Sequence, residues 1–189
     1  DLADNLKLRL SASTGVNRPT YNEWRASAAV DVIEEEISGG NPTLEAETSY
    51  GFDASIEYYL DNGSLFSAAA FMRNIDNVIY ADDSTIDAGA FIEEFAGEQW
   101  TYTGFLNGSD GKFSGIELNS VFFADDFIQG LGLSANVTFT DSEFRQANGE
   151  TVGLPGTSDL IYNAAIFYED YGISARLNYS WRDKWISPI

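Results

Sequence analysis

The sequence predicts an all-β protein, an antiparallel up-and-down meander of about seven long strands belonging to the wall of a transmembrane β-barrel. Three observations predict it. Apolar and polar residues alternate strictly through most of the chain. The alternating segments are about twice the ~5–6 residues usual in globular sheets, and about 9–11 tilted residues cross a bilayer. The connections between them alternate between short and long.

In chain order, segment 6–12 places Leu6, Leu8, Leu10 and Ala12 against Lys7, Arg9 and Ser11. Segment 48–60 places Tyr50, Phe52, Ala54, Ile56, Tyr58 and Leu60 against Ser49, Gly51, Asp53, Ser55 and Glu57. Segment 65–75 is apolar on both faces as far as Arg73, which leaves its orientation open. Segment 113–123 sets Ile116, Leu118 and Phe122 against Glu117 and Asn119. Segment 131–140 alternates Leu131, Leu133, Ala135, Val137 and Phe139 with Gly132, Ser134, Asn136 and Thr138. Segment 158–169 sets Leu160, Tyr162, Ala164, Ile166 and Tyr168 against Asp159, Asn163 and Glu169. Segment 171–182 alternates Ile173, Ala175, Leu177, Tyr179 and Trp181 with Ser174, Arg176, Asn178, Ser180 and Arg182. Side chains of a strand point to opposite faces in turn, so each segment has one apolar and one polar face. No segment shows a helical period.

Three connections are short: Asp61-Asn62-Gly63-Ser64, the link with Asp125, Asp126 and Gly130, and Glu169-Asp170-Tyr171-Gly172. Asn-Gly is the strongest short-range hairpin signal. The other three, 15–47, 76–112 and 141–157, are long and read as loops. Alternation of this kind sorts tight turns to one rim and excursions to the other, as in outer-membrane barrels. A soluble sandwich also alternates, but with shorter strands and loops unsorted by length. A lipocalin-like barrel reverses the faces, and periodicity alone does not distinguish inside from outside. Charges of both signs on the polar faces, and aromatic residues gathered at strand ends, favour a wet interior and a lipid exterior. The end aromatics are Tyr58, Phe122, Tyr168 and Tyr171 near the short turns, and Tyr179, Trp181 and Trp185 near the other rim.

Composition removes several function classes. The 189 residues carry 30 acidic and 10 basic side chains, a net charge of −20, and no nucleic-acid partner is expected of such a chain. With no Cys and no His there is no disulfide, no Cys/His zinc site and no His-dependent nucleophile. No apolar run approaches the ~20 residues of a membrane helix. The chain does not start with Met and shows no signal peptide, so it is expected to be a piece of something longer.

Several motifs in order resemble TonB-dependent outer-membrane receptors. They are Asn5-Leu6-Lys7-Leu8-Arg9-Leu10, then Asn17-Arg18-Pro19-Thr20-Tyr21, then Gly40-Asn41-Pro42-Thr43-Leu44-Glu45-Ala46-Glu47-Thr48-Ser49. Glu57-Tyr58-Tyr59, Ala70-Phe71-Met72-Arg73-Asn74, Gly115-Ile116-Glu117-Leu118, Leu154-Pro155-Gly156 and the 168–176 stretch continue the likeness over nearly the whole chain. The resemblance implies an energised importer in the outer membrane. It implies a barrel of about 22 strands, of which this chain is about a third from the C-terminal half. The plug domain, and the region that meets TonB, lie outside the chain under this reading. Its expected partners are outer-membrane lipid and lipopolysaccharide, TonB through the absent region, and a small-molecule or oligosaccharide ligand. No enzyme activity and no cofactor are implied; long loops are expected to be extracellular and short turns periplasmic. Two alternatives stay open, a non-transporting adhesive surface barrel and a soluble carbohydrate-binding module.

Connection 76–112 is the candidate ligand site. Trp100 and Tyr102 offer flat faces for stacking, and Asp82 and Asp83 offer acceptors for hydroxyl protons. The bland reading is that these aromatics pack the base of their own loop. Glu34-Glu35-Glu36 invites a calcium reading but lacks EF-hand spacing and reads equally as solvated surface. Arg9, Arg176 and Arg182 are expected on the polar face, paired with carboxylates such as Asp53 and Glu117 or turned toward a plug.

Overall fold

The computed structural model describes residues 4–185. Its strands are β1 Leu6–Asn17, β2 Ala28–Asp31, β3 Glu36–Gly39, β4 Glu47–Tyr59, β5 Leu65–Asp76 and β6 Ile79–Asp87. They continue with β7 Gln99–Asn107, β8 Gly111–Phe123, β9 Leu131–Arg145, β10 Thr151–Val152, β11 Leu160–Asp170 and β12 Ile173–Arg182. A single turn of helix, α1 Tyr21–Trp24, follows β1.

The seven expected strands form one antiparallel sheet in the order β1-β4-β5-β8-β9-β11-β12, with β10 added against β9. The order is that of the chain, as a meander requires. All three short turns close one rim and all three long connections open from the other.

One register runs through all seven strands. Leu8, Ile56, Ala68, Leu118, Val137, Tyr162 and Trp181 lie side by side in one row. The adjacent row is Lys7, Glu57, Ser67, Asn119, Asn136, Asn163 and Ser180. The apolar rows are open to the surroundings: Leu10 is 74% and Leu177 71% exposed, and Phe52, Ile56, Ile116, Leu118, Leu133 and Ile166 are exposed as well. The polar rows are bonded across strands. Asn136 Nδ2 donates to Glu117 Oε1 (3.0 Å) and to Asn119 Oδ1, and Ser11 Oγ donates to Asp53 Oδ2 (3.1 Å). In a soluble sheet packed on a core, the apolar face is the covered one.

The register also orients β5, which the sequence left ambiguous. Phe66, Ala68, Ala70 and Met72 join the apolar face. Phe71 lies on the polar face, where it stacks on Phe113 with ring centroids 5.2 Å apart. Leu65, Ala69 and Ile75 share that face with Phe71, which is why β5 reads as apolar on both sides.

The enclosed apolar cores sit at the long-loop rim. One joins Val78, Tyr80, Phe144 and Leu154, with Ile75, Leu106, Phe113 and Val152 against it. The other joins Ile37, Ala88 and Trp100, with Ile86, Phe95 and Tyr102 around it. Connections 15–47 and 76–112 are therefore not plain loops, as the sequence suggested. They fold together into a four-stranded sheet ordered β2-β3-β7-β6, in which β3 runs parallel to β7. Strand β1 continues to Asn17, beyond the expected Ala12, and β9 continues to Arg145, which shortens the third connection. The helical turn α1 was not legible as a period because it has four residues; a capping box between Thr20 and Glu23 holds it.

At the opposite rim, the β4–β5 turn is fastened to β8. Gly63 takes φ +83°, a left-handed conformation that suits glycine. Ser64 is fully buried, and its Oγ accepts the Phe123 backbone N–H at 2.9 Å, while Asn62 Nδ2 donates to the Phe123 carbonyl at 3.1 Å. Replacing Ser64 by Ala leaves the part-buried Phe123 N–H without its side-chain acceptor. The expected cost is about 1–3 kcal/mol, read as a lowered urea midpoint of the refolded full-length protein with an unchanged slope.

Candidate binding site at the long-loop rim

Strands β6 and β7 pair Ile86 with Trp100, Ser84 with Tyr102 and Asp82 with Gly104. Asp82, Trp100 and Tyr102 therefore share one face of the loop sheet. Asp83 falls on the other face, where its carboxylate accepts the Thr103 hydroxyl at 2.7 Å. The sequence grouped all four residues; the strand period separates one of them.

Trp100 is only 2% exposed. It packs on Phe95 at 4.7 Å between ring centroids, in the cluster with Ile37 and Ala88, and its Nε1 donates to Glu98 Oε2 at 3.2 Å. No face of the indole is open to a solute. The expected stacking role of Trp100 is thus corrected: the ring is the centre of the loop sheet's own core, which was the bland reading of this residue.

Tyr102 is half-buried and differently placed. A Cβ on Gly104 would lie 2.6 Å from its ring, and one on Gly39 would lie 2.8 Å from its hydroxyl oxygen. Two missing side chains on neighbouring strands thus make the bed for one aromatic ring, and Phe91 stacks loosely on it at 6.2 Å. Beside it opens a cavity of about 270 Å³ lined by Gly40, Asn41, Pro42, Asp82, Ser84, Tyr102, Gly104, Phe105 and Leu106. The structure brings Asp82 and Tyr102 together at this cavity and leaves Trp100 and Asp83 out of its lining. Larger hollows of about 620 Å³ lie along the open apolar face, between side chains such as Ile56, Leu118 and Val137. They are gaps in an apolar wall and carry no charged lining residue, so polar recognition is not built there.

One wall of the cavity is set by the 40–47 segment. Asn41 Nδ2 donates to the Phe105 carbonyl at 3.0 Å, and Asn41 Oδ1 accepts the Thr43 N–H at 2.9 Å. Asn107 accepts the Glu45 N–H at 2.8 Å and donates to the Glu45 and Asn77 carbonyls. The Glu47 carboxylate accepts the Ile79 N–H at 2.8 Å and the Asn17 side-chain amide at 2.6 Å. Asn41, Glu45, Glu47 and Asn107 thus clamp the two long connections to each other and to β1. The sequence showed the first three only as parts of a motif; Asn107 carried no signal beyond its type.

Other expected residues find local partners. Arg9 pairs with Glu57, not with Asp53 or Glu117. Arg176 Nε donates to Asn178 Oδ1 at 2.9 Å with its guanidinium over Phe167, and Arg182 donates to Ser158 Oγ and to the Gly156 carbonyl. Glu34 and Glu35 lie in the β2–β3 turn and Glu36 begins β3; among the described residues no three carboxylates are gathered as a metal site.

The long connections concentrate charge. Residues 18–46, 77–110 and 146–159 hold 15 acidic and 2 basic side chains, which accounts for 13 of the 20 net negative charges. Several of these carboxylates accept protein donors, Asp83, Glu98 and Glu23 one each among them, and Asp87 accepts two: its Oδ1 takes the Gly97 and Gly89 N–H groups, each at 2.9 Å. The bond from Gly97, then that from Gly89, holds the Asp87 carboxyl below its ordinary range.

The chain matches the family described as TonB dependent receptor-like, beta-barrel, over residues 1–187. It belongs to that family. A comparison with curated proteins finds no match. Among solved structures, a variant of the ferric enterobactin receptor from Pseudomonas aeruginosa in complex with enterobactin is similar, with a TM-score of 0.70 and 18% identity, over 96% of this chain and 26% of that one. The copper transporter OprC gives 0.64 and 17%, over 95% and 24%. The siderophore receptor PirA from Acinetobacter baumannii gives 0.57 and 15%, over 89% and 25%. At these identities the likeness is one of fold. The chain spans about a quarter of the length of each.

Two outcomes are expected of this geometry. Trp100→Ala empties the centre of the loop sheet and should cost it about 3–5 kcal/mol, read by hydrogen exchange at the backbone amides of β3 and β7, with those of β9 and β11 unaffected. The Asp87 carboxyl is depressed in the folded state, so its contribution is present above the ordinary aspartate range and lost as pH falls through the lower folded value. Exchange at the Gly89 and Gly97 amides should quicken there, and Asp87→Asn should abolish that step.

Proposed function

We propose that the chain is part of an outer-membrane receptor that takes up a scarce solute with energy delivered through TonB. The observation that carries this is the sheet's uncovered apolar face. Its apolar face is exposed across seven strands, and its polar face is hydrogen-bonded across them. Lipid, and lipopolysaccharide in the outer leaflet, supply the missing contacts of the apolar face, and water fills the other side. The sorting of long connections to one rim supports an extracellular mouth there, with the short turns periplasmic. The family is one of receptors and transporters, and bond chemistry has no place in this reading. TonB meets a region outside this chain.

Capture falls to the long connections. Tyr102 and Asp82 line their cavity and are the proposed ligand contacts, while Trp100 holds the strand that presents them. Asp83 acts at most on the opposite face. The test uses the full-length gene. Cells lacking it, and cells lacking TonB, are compared for uptake of a panel of ferric siderophores, copper and oligosaccharides. A shared loss of one solute supports the reading, and uptake that ignores both deletions overturns it.

The membrane placement has its own test. Val137 is in mid-strand on the apolar face and Asn136 faces the other way. Val137→Arg should cost about 2–4 kcal/mol when the full receptor folds into lipid vesicles, and Asn136→Arg should be tolerated. Equal costs at the two positions would remove lipid from the apolar side.

A further inference from the structure

We infer that the cavity beside Tyr102 selects a cationic, hydroxyl-bearing ring, and rejects anionic groups, through the carboxylate of Asp82. This deepens the receptor reading above and rests on it. Four observations carry it. Among the described residues, Asp82 is the only charged one in the cavity lining. The ion pairs among the described residues are Arg9–Glu57 and Lys112–Glu143, and neither is at the cavity, so no salt bridge neutralises Asp82. Arg25, whose backbone lies against Gly40, does not line the cavity. The neighbouring carboxylate, Asp83, is by contrast bonded to Thr103 on the far face.

The rest of the lining fits a ring with donors at its edge. The Tyr102 ring is bedded on Gly104 and Gly39 with Phe91 stacked on it, so its edge and hydroxyl are held in place in the lining. Phe105 and Leu106 add apolar surface, and Ser84 adds a hydroxyl one row from Asp82. An ammonium or hydroxyl group meeting Asp82 forms a charge-assisted hydrogen bond, while a carboxylate there meets like charge. The surrounding connections, with 15 acidic residues against 2 basic, extend the same sign outward and draw cations toward the mouth. At about 270 Å³, just under the ~300–1,000 Å³ of sites for drug-sized ligands, the cavity admits one ring or one amine-bearing arm.

The experiment uses the full-length receptor in detergent and three β-1,4-linked trisaccharides that share a pyranose backbone. These are of glucosamine (cationic), N-acetylglucosamine (neutral) and glucuronate (anionic), each titrated by calorimetry. The glucosamine trimer should bind about tenfold or more tighter than the glucuronate trimer. Asp82→Asn should bring the glucosamine trimer to within about threefold of the neutral one. Asp61→Asn, the same change of charge at the opposite rim, should leave the preference intact. Glucuronate binding as tightly as glucosamine, a preference that survives Asp82→Asn, or no binding of any trimer would overturn the inference. The two failures are distinguishable. TonB-independent uptake would fail the receptor reading, whereas TonB-dependent uptake with a charge preference indifferent to Asp82 fails this inference alone.

Discussion

Everything in this structure depends on one shared register across seven antiparallel strands. The side-chain period of a strand is two, so a slip of one residue in any pair would exchange its faces. Here the row from Leu8 to Trp181 stays apolar, and the row from Lys7 to Ser180 stays polar, through every pairing. The sheet has no enclosed core of its own. Its backbone bonds hold it together, its polar side chains bond laterally, and its apolar face stays open. In water that face is a liability; in a bilayer it is the surface that lipid covers.

The long-loop rim obeys a different rule. There the chain leaves the wall and must bury apolar side chains within itself, so the connections build a small second sheet with Trp100 at its centre. Parallel pairing of β3 with β7 joins two excursions that are far apart in sequence. The amides of Asn41 and Asn107 and the carboxylate of Glu47 then tie that sheet to the wall below. This clamp gives Tyr102 and Asp82 fixed positions without a large hydrophobic core.

Charge is distributed to match. Strands of the wall carry acids and bases in near balance, and the connections hold most of the net negative charge. Under the proposed receptor reading, a rim of one sign sets up a field that draws cations before any contact, and the Asp82 carboxylate repeats that choice at short range. The same geometry explains why Asp82 and Asp83, adjacent in sequence, differ in what they meet: one faces the cavity and the other a threonine on the reverse side.

The sequence by itself determined the seven wall strands, their order, the two classes of connection and, for every wall strand except β5, which residues share a face. Each follows from a local pattern of period two or from turn chemistry within a few residues. Of the four residues it grouped as a candidate site, Tyr102 and Asp82 line one cavity in the fold. Only the tertiary structure decided the rest. It folded the excursions into a sheet, because the pairing of β3 with β7 is non-local. It buried Trp100, because an aromatic residue in an alternating strand looks the same from sequence whether its face meets a core or a solute. It placed Phe71 on the polar wall, where Phe113 supplies a partner that no neighbour in sequence could announce. Burial depends on what lies across the face, and for this chain that is set by strands and connections far apart along it.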